Sequence, residues 1–270
     1  LDVDLSAFNT LDVSEKMNVL QTHNVLPKEA VVEVIGDRWI ALPDAIGVID
    51  PQRLGDTYPC KTLAGVGVMF KVMHALYMEY KTDPKPLFYL LDYVATGSIA
   101  DLAQQIDKHG ETLDFEVRTM CKYGIQIMNE FPKVWVRAIL EGMGVDPTRT
   151  IDSTTIGFKI GPLLNATGRI DDPEPAANLL LEKDYDKALA KATNLAEVNK
   201  ERQAQTRSSE TITAELKEEG EERYDYGIVV QSDLYGIGIA GLVAGDLVKE
   251  FYRPSIALAP HTYPDGRVVL

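Results

Sequence analysis

The chain has 270 residues, of which 45% are hydrophobic and 25% are charged. This composition is typical of a globular protein of about two domains and excludes a disordered or fibrous chain. The formal net charge of −14 argues against non-specific polyanion binding by the whole surface, but it allows a local basic groove or an acidic metal site.

The two cysteines, Cys60 and Cys121, have no CxxC spacing and no neighbouring histidine. That pattern argues against a zinc site or a disulfide framework and fits a reducing compartment. The chain shows no charged-then-apolar leader and no apolar run near the roughly 20 residues that span a bilayer, so we expect a cytoplasmic protein with no membrane partner. It opens without methionine and stops in the apolar run GRVVL, and we therefore expect a fragment.

Short apolar runs such as EAVVEVIG and WIALPDAIGVID fill the first part of the chain and predict short strands in an α/β organisation. The stretch from Thr62 to Tyr80 has helical spacing, and Gly65 and Gly67 are expected to allow close packing where that helix begins. The stretch from Glu116 to Leu140 is predicted to be helical on both sides of a proline.

The stretch VATGSIADL, Val94 to Leu102, looks like a buried strand that ends in one carboxylate, Asp101. With the residues before it, the same stretch also fits a helix. Two roles are open for Asp101: a helix cap at a strand-to-helix junction, or a metal ligand.

The longest periodic segment runs from Glu174 to Glu222 and is predicted to be helical. Its apolar stripe gives way to polar residues between Arg202 and Ser209, which is typical of a helix that crosses solvent between two bodies. The stripe comprises Leu181, Tyr185, Ala188, Leu189, Ala192, Leu195 and Ala196. The strand GIVVQS follows, then a glycine-rich turn, a helix and a second strand opened by Arg253, which together predict an α/β unit.

Four stretches, TYPCKTLAGVGVMFKV, LDYVATGSIADL, IGFKIGPLLNATGRI and LYGIGIAGLVAGDLVKEFYRPSIALA, resemble in order and spacing the RecJ-like exonucleases of the DHH phosphoesterase family. The resemblance extends from Val48 to Leu258, and the second and third stretches are its most specific parts. It implies two α/β domains joined by a long helix: a DHH phosphoesterase-like domain at residues 1–183, a linking helix at 184–222 and a C-terminal substrate-binding domain at 223–270.

The resemblance implies a hydrolase that degrades single-stranded DNA from its 5′ end in recombination and repair. It also implies Mn²⁺ or Mg²⁺ as cofactor, as two ions, with single-stranded DNA and replication or repair proteins as partners. The chemistry agrees, because hard cations that are held by carboxylates lower the pKa of a water and neutralise charge on the reacting oxygens.

Three residues match the family's metal ligands. Asp101 matches an aspartate that binds one metal, which favours the ligand role over the cap. Asp4 matches the family's bridging aspartate, and His23 matches the central histidine of its Asp-His-His motif. His23 and Asp101 are therefore also the catalytic residues that the resemblance implies.

Four residues match the family's substrate contacts. Asn165 and Arg169 match an Asn and an Arg that face the phosphates, and a guanidinium presents a planar fork to phosphate oxygens. Gly238 and Gly241 lie in GIGIAG, which matches the nucleic-acid-binding turn of the second domain. A bare backbone there lets a phosphate or base approach closely.

Four positions depart from the family pattern. Thr22 and Asn24 replace the residues on either side of the motif histidine, Leu163 replaces an Arg, and Gly236 replaces a His. These departures leave two alternatives open: a catalytically degenerate DNA-binding or replication scaffold, and a phosphodiesterase for short oligonucleotides or cyclic dinucleotides.

Overall fold

The structure is a computed structural model that describes residues 31–35, 38–43, 45–105, 115–146, 149–166, 173–219, 226–233, 235–262 and 268–269, with Asp12, Glu15 and Asn18. The chain divides into two compact units. Unit 1 comprises Leu1–Pro84 and Ala103–Arg118, and unit 2 comprises Lys85–Leu102 and Thr119–Leu270. The domain boundaries proposed from the sequence stay a prediction.

The described part is mostly helical, with a small parallel sheet, whereas the sequence predicted two α/β domains. The strands are β1 (Val31–Ile35), β2 (Arg38–Leu42), β3 (Ile228–Gln231), β4 (Ser255–Leu258), β5 (His261–Thr262) and β6 (Val268–Val269). The helices are α1 (Gly65–Glu79), α2 (Lys85–Phe88), α3 (Leu91–Ala100), α4 (Phe115–Glu130), α5 (Val134–Gly142), α6 (Ser153–Thr155), α7 (Gly161–Leu164), α8 (Glu174–Leu180), α9 (Tyr185–Thr206), α10 (Ser208–Glu219) and α11 (Ile237–Phe251). A π-helical turn, Ile156–Ile160, joins α6 to α7. Within the described residues, no helix combines the length and apolarity that crossing a membrane requires.

In unit 1, β1 and β2 form an antiparallel hairpin in which Val31 pairs with Leu42, so the predicted strands are present. Helix α1 also begins where the glycines predicted it. Gly67 is buried, but a Cβ atom placed on Gly65 would meet nothing within 4 Å. The prediction of close packing is therefore wrong at Gly65. At Gly67 the structure shows a buried residue.

Unit 2 packs around α3, α4 and α5, whose residues include the fully buried Trp135 and Ile139. The predicted helices on both sides of Pro132 are present as α4 and α5. Helix α5 crosses α9 closely, because a Cβ atom on Gly142 would lie 3.2 Å from the Cβ atom of Ala192. Small residues at such crossings allow two helix backbones to approach each other.

The long periodic segment forms three helices, α8, α9 and α10, and Arg207 separates the last two. The predicted single linking helix at 184–222 is therefore interrupted, and serines, which favour helix starts over helix interiors, follow the break. Of the predicted stripe, Ala188, Ala192 and Leu195 are buried. Leu181 is 74% exposed because it lies in the turn between α8 and α9.

The C-terminal part of unit 2 has the predicted order of strand, helix and strand, with β3 and β4 parallel and Ile228 opposite Ser255. Helix α11 lies between the strands in sequence and shares a core with them through Val243 and Leu247. Helix α10 contributes Ile212 to the same core. These elements therefore pack as one hydrophobic cluster within unit 2.

Candidate metal and phosphate site

The stretch that carries Asp101 is a helix, which corrects its interpretation as a strand. Helix α3 buries seven of its ten residues, and a run of small and apolar residues that is buried on most sides shows no clear period. Asp101 follows the last turn of α3, and its backbone N–H donates to the carbonyl oxygen of Gly97 at 2.9 Å. It therefore lies at a helix C-terminus, and the alternative of a cap at the start of a following helix is wrong.

The Asp101 carboxylate is exposed, and no hydrogen bond or ion pair joins it to another described residue. A helix C-terminus carries a partial negative charge and carbonyl oxygens without helical partners. A carboxylate at this position is unfavourable alone but favourable beside a bound cation. The chemistry of this helix end therefore fits a divalent metal ion.

The next residue, Leu102, has left-handed backbone geometry with φ 55° and a side chain that is 84% exposed. Glycine is the usual residue at such a position, because a Cβ atom there costs roughly 1–2 kcal/mol. The N–H of Leu102 still donates to the carbonyl oxygen of Ile99 at 3.1 Å. The chain thus makes a strained turn immediately after the candidate ligand.

The π-helical turn packs against the end of α3. A Cβ atom on Gly161 would lie 3.0 Å from the Cβ atom of Ala100, and one on Gly157 would lie 3.6 Å from a methyl group of Ile99. A π-helical turn widens one turn of a helix and is frequent at functional sites. Here Gly157 of this turn and Gly161 at the start of α7 pack against the last two residues of α3, just before Asp101.

Asn165 follows α7 and is exposed, with its backbone N–H bonded to the carbonyl oxygen of Gly161 at 2.9 Å. It lies about one helical turn, roughly 6 Å along the axis, from the residue that touches Ala100. The contact between Ala100 and Gly161 therefore brings the candidate metal ligand Asp101 and the candidate phosphate ligand Asn165 into one region of unit 2.

Asp152 is the N-cap of α6, the helix that leads through the π-helical turn into α7. Its carboxylate accepts hydrogen bonds from the Thr155 backbone N–H at 2.7 Å and from the Thr155 hydroxyl at 2.8 Å. Both hydrogen bonds lower the pKa of Asp152 below its ordinary value, and the bond from the backbone N–H has the larger effect. This N-cap orients the segment that carries Asn165.

Sequence reasoning missed Phe158 and Lys159, which the π-helical turn exposes beside the end of α3. The Phe158 side chain is 81% exposed, and Lys159 is exposed too. Leu163, in contrast, is fully buried. The position at which the resemblance predicts an Arg therefore faces the core, and the exposed cation described on this segment is Lys159.

Gly238 and Gly241 lie in helix α11 and not in a turn, because the helix begins at Ile237 with Gly236 as its N-cap. A Cβ atom on Gly236 or Gly241 would meet nothing within 4 Å. The backbone is therefore accessible along the first turns of α11. The partial positive charge of a helix N-terminus favours anions at this end.

Asp4, His23 and Arg169 lie outside the described residues. Within the described residues, no group of three or more His, Cys, Asp or Glu side chains forms a complete metal cluster. Asp101 is thus the predicted metal ligand whose surroundings the structure describes. Asn165, Gly238 and Gly241 are the predicted substrate contacts that it describes.

No protein-family model matches the chain. Among curated proteins, the single-stranded-DNA-specific exonuclease RecJ of Bacillus subtilis is 34% identical over 217 residues, which are 80% of this chain and 26% of that protein. The RecJ of Dickeya dadantii is 32% identical over 249 residues, which are 86% of this chain and 42% of that protein. The chain spans 26% to 42% of the length of its curated relatives.

Solved structures agree with this relationship. A crystal structure of exonuclease RecJ bound to manganese matches with a TM-score of 0.59 and 25% identity, over 76% of this chain and 49% of that one. The Thermus thermophilus RecJ in complex with Mn²⁺ shares the fold, with a TM-score of 0.63 and 23% identity over 84% of this chain and 31% of that one. The chain is therefore RecJ-like, related to the RecJ exonucleases in sequence over about 80% of its length and similar to them in fold.

Proposed function

We propose that the chain is part of a RecJ-like, metal-dependent hydrolase that degrades single-stranded DNA from its 5′ end in recombination and repair. The observation that carries this proposal is the packing of Gly161 against Ala100, which brings Asp101 and Asn165 into one region. The names of the six curated relatives support it, since all are single-stranded-DNA-specific exonucleases. We further propose a cytoplasmic location and replication or repair proteins as additional partners.

Asp101 would be a ligand of Mn²⁺ or Mg²⁺, and Asp4 and His23 are the other metal ligands that the resemblance implies. The support is the donor chemistry, because an exposed carboxylate beside helix-end carbonyl groups presents the oxygen ligands that hard cations prefer. Two such ions, when bound, lower the pKa of an attacking water and stabilise the reacting oxygens. Asp101 and His23 are the proposed catalytic residues.

Asn165 and Arg169 would bind substrate phosphates through an amide and a guanidinium. Lys159, exposed on the adjoining π-helical turn, adds a positive charge to the same segment. Gly238 and Gly241 would form a second contact region, where the open first turns of α11 allow a phosphate or base to approach the backbone. In this proposal the end of α3 binds metal. The segment that carries Asn165 and the first turns of α11 bind the DNA strand.

The scaffold alternative draws on the four departures from the family pattern, which are Thr22, Asn24, Leu163 and Gly236. The relatives favour the nuclease over this alternative and over a phosphodiesterase for short or cyclic substrates. The carboxylate of Asp101, exposed at a helix end that disfavours it, also supports a metal-binding role. A scaffold would have no need for that unfavourable arrangement.

The test is Mn²⁺-dependent release of nucleotides from a 5′-labelled single strand, with Bacillus subtilis RecJ as the positive control. The full-length parent protein of this chain should release nucleotides, and its Asp101→Asn variant should not. The Glu197→Gln variant removes an exposed carboxylate from the middle of α9 and should behave as wild type. Release that is absent from the wild type, or unchanged in Asp101→Asn, would contradict the proposal.

A further inference from the structure

Two exposed aromatic rings lie side by side on unit 2, away from the residues discussed so far. Tyr89 and Phe131 are 55% and 61% exposed, and their rings meet edge to face, with centroids 6.5 Å apart and an angle of 88° between the planes. Tyr89 precedes α3, and Phe131 follows α4. Large aromatic side chains are normally buried or at an interface, so two that touch in solvent indicate a binding surface.

An ion pair between the partly exposed Lys133 and the buried Asp92 lies next to this aromatic pair. The Lys133 ammonium lies 2.5 Å from the Asp92 carboxylate and donates to the Tyr89 carbonyl oxygen at 2.7 Å. Asp92 is only 1% exposed. Lys133 therefore ties the backbone of Tyr89 to the segment that carries Phe131, two residues away.

The layer beneath the ion pair is also aromatic. The Lys133 ammonium lies 4.0 Å from the centre of the Tyr93 ring, and Tyr93 stacks on the buried Trp135 with centroids 5.6 Å apart. The Tyr93 hydroxyl donates to the carbonyl oxygen of Leu180 at 2.9 Å. The exposed rings thus stand on a packed base, and rigid binding groups lose little entropy when a ligand stacks on them.

The local charge suits a nucleic acid better than the rest of the chain does. Residues 85–93 and 129–137 contain three basic side chains, Lys85, Lys133 and Arg137, and two acidic ones, Asp92 and Glu130. The whole chain, in contrast, carries a formal charge of −14. A strand that is repelled by most of the surface can approach here, and aromatic faces stack on bases of any sequence.

We propose that Tyr89 and Phe131 form a base-stacking platform for single-stranded DNA, an inference that rests on the proposed function. The platform lies at one end of α3 and Asp101 lies at the other. A helix of ten residues is roughly 15 Å long. A strand held at Asp101 therefore has to span this length before its bases reach the platform, so a single nucleotide bound there does not reach it.

Strand length therefore gives a sharp test. The binding of a single 5′-thymidylate and of an oligothymidylate of about twelve nucleotides is measured without metal by fluorescence anisotropy. Tyr89→Ala and Phe131→Ala should each weaken binding of the longer strand about tenfold and leave binding of the single nucleotide unchanged. Tyr226→Ala removes a ring that is 95% exposed elsewhere in unit 2 and is the matched control.

Stacking is tested directly with Phe131→Trp. The longer strand should quench the fluorescence of Phe131→Trp more than that of the wild type, whose native tryptophans are Trp39 and the buried Trp135. Phe131→Trp should also bind as tightly as wild type. Thermal unfolding confirms that each variant is folded, which is expected because both side chains are more than half exposed.

The outcomes separate this inference from the proposed function. If the wild-type chain binds no single-stranded DNA, the proposed function fails. If the wild type binds and both alanine variants bind equally well, the platform is wrong and the surface is left for a protein partner. Equal losses for the single nucleotide and the longer strand would contradict the distance from Asp101.

Discussion

The glycines around α3 and the glycines of α11 have opposite surroundings. A Cβ atom on Gly124 would lie 2.1 Å from the carbonyl oxygen of Leu91, and one on Gly161 would lie 3.0 Å from Ala100. In α11, a Cβ atom on Gly241 or Gly245 would meet nothing within 4 Å. The same residue type therefore allows close packing in one region and leaves an open surface in the other.

This difference agrees with the two tasks that the proposed function gives these regions. Close helix packing around α3 holds Asp101 and the π-helical turn in a fixed arrangement, which a metal site requires. The open glycines of α11 leave backbone accessible, which suits contact with a flexible strand. Substitutions that fill each glycine test whether this division holds.

The largest effect is expected for Gly124→Ala. Its methyl group would overlap the Leu91 carbonyl and the Ala95 side chain, so α3 and α4 must separate. We expect the free energy of unfolding to fall by about 3 kcal/mol. Urea unfolding measures it, and the matched control is Gly245→Ala in α11, which should raise stability by about 0.5–1 kcal/mol. Equal effects of the two substitutions would break the comparison.

Gly161→Ala should have a smaller effect, because its methyl group would lie 3.0 Å from the Ala100 Cβ atom and 3.2 Å from the Ile156 carbonyl oxygen, which are milder contacts than the 2.1 Å at Gly124. We expect a loss of about 1–2 kcal/mol of stability, together with a loss of nuclease activity as Asn165 shifts from Asp101. Gly241→Ala, which fills open space, should leave stability equal or higher. Full activity in Gly161→Ala would show that the contact with Ala100 does not position the site.

Helices α3 and α11 are each followed by a residue with left-handed backbone geometry, which gives a third comparison. Leu102 follows α3 with φ 55°, and Tyr252 follows α11 with φ 54°, and both side chains are more than four fifths exposed. Leu102→Gly and Tyr252→Gly should each raise stability by about 0.5–1 kcal/mol. Only Leu102→Gly should lower activity, because it loosens the turn beside Asp101. An activity loss in both variants would argue against a special role for Leu102.

The smallest effect is expected at Glu182, in the turn between α8 and α9. The pKa of Glu182 is lowered to about 2. The largest cause is a hydrogen bond from the Lys191 side chain, and the backbone N–H groups of Asp184 and Lys183 add to it. Because the folded pKa is below its ordinary value of 4.5, the stabilisation is present above that value and is lost as pH falls toward about 2. Glu182→Gln should thus be slightly less stable than wild type near neutral pH. The two unfolding curves should converge in acid, and a difference that persists there would contradict the assignment.

Much of the regular structure could be predicted from the sequence. Glycine and Arg-Pro punctuation predicted the order of β3, α11 and β4, and Pro132 predicted the break between α4 and α5. The strand prediction for Val94 to Leu102 failed because burial on most sides removes the period that distinguishes helix from strand. The start of α11 was misplaced because Gly238 and Gly241 are ordinary turn residues, yet here they are helical.

The candidate site was less accessible to sequence reasoning. The role of Asp101 came from the resemblance, and its position at a helix C-terminus could not be read from the residues around it. The packing of Gly157 and Gly161 against α3 joins segments that lie far apart in sequence. Tyr89 and Phe131 were missed for the same reason, because only the folded chain brings their rings together.

Mn²⁺ binding tests most directly the claim that the end of α3 is a metal site. Paramagnetic resonance of free Mn²⁺ measures affinity, and unfolding in a chelator measures stability. We expect Asp101→Asn to weaken binding by about tenfold or more, and to raise the stability of the metal-free chain by about 0.3–1 kcal/mol, since it removes a negative charge from a helix C-terminus. Unchanged Mn²⁺ affinity in Asp101→Asn would contradict the account.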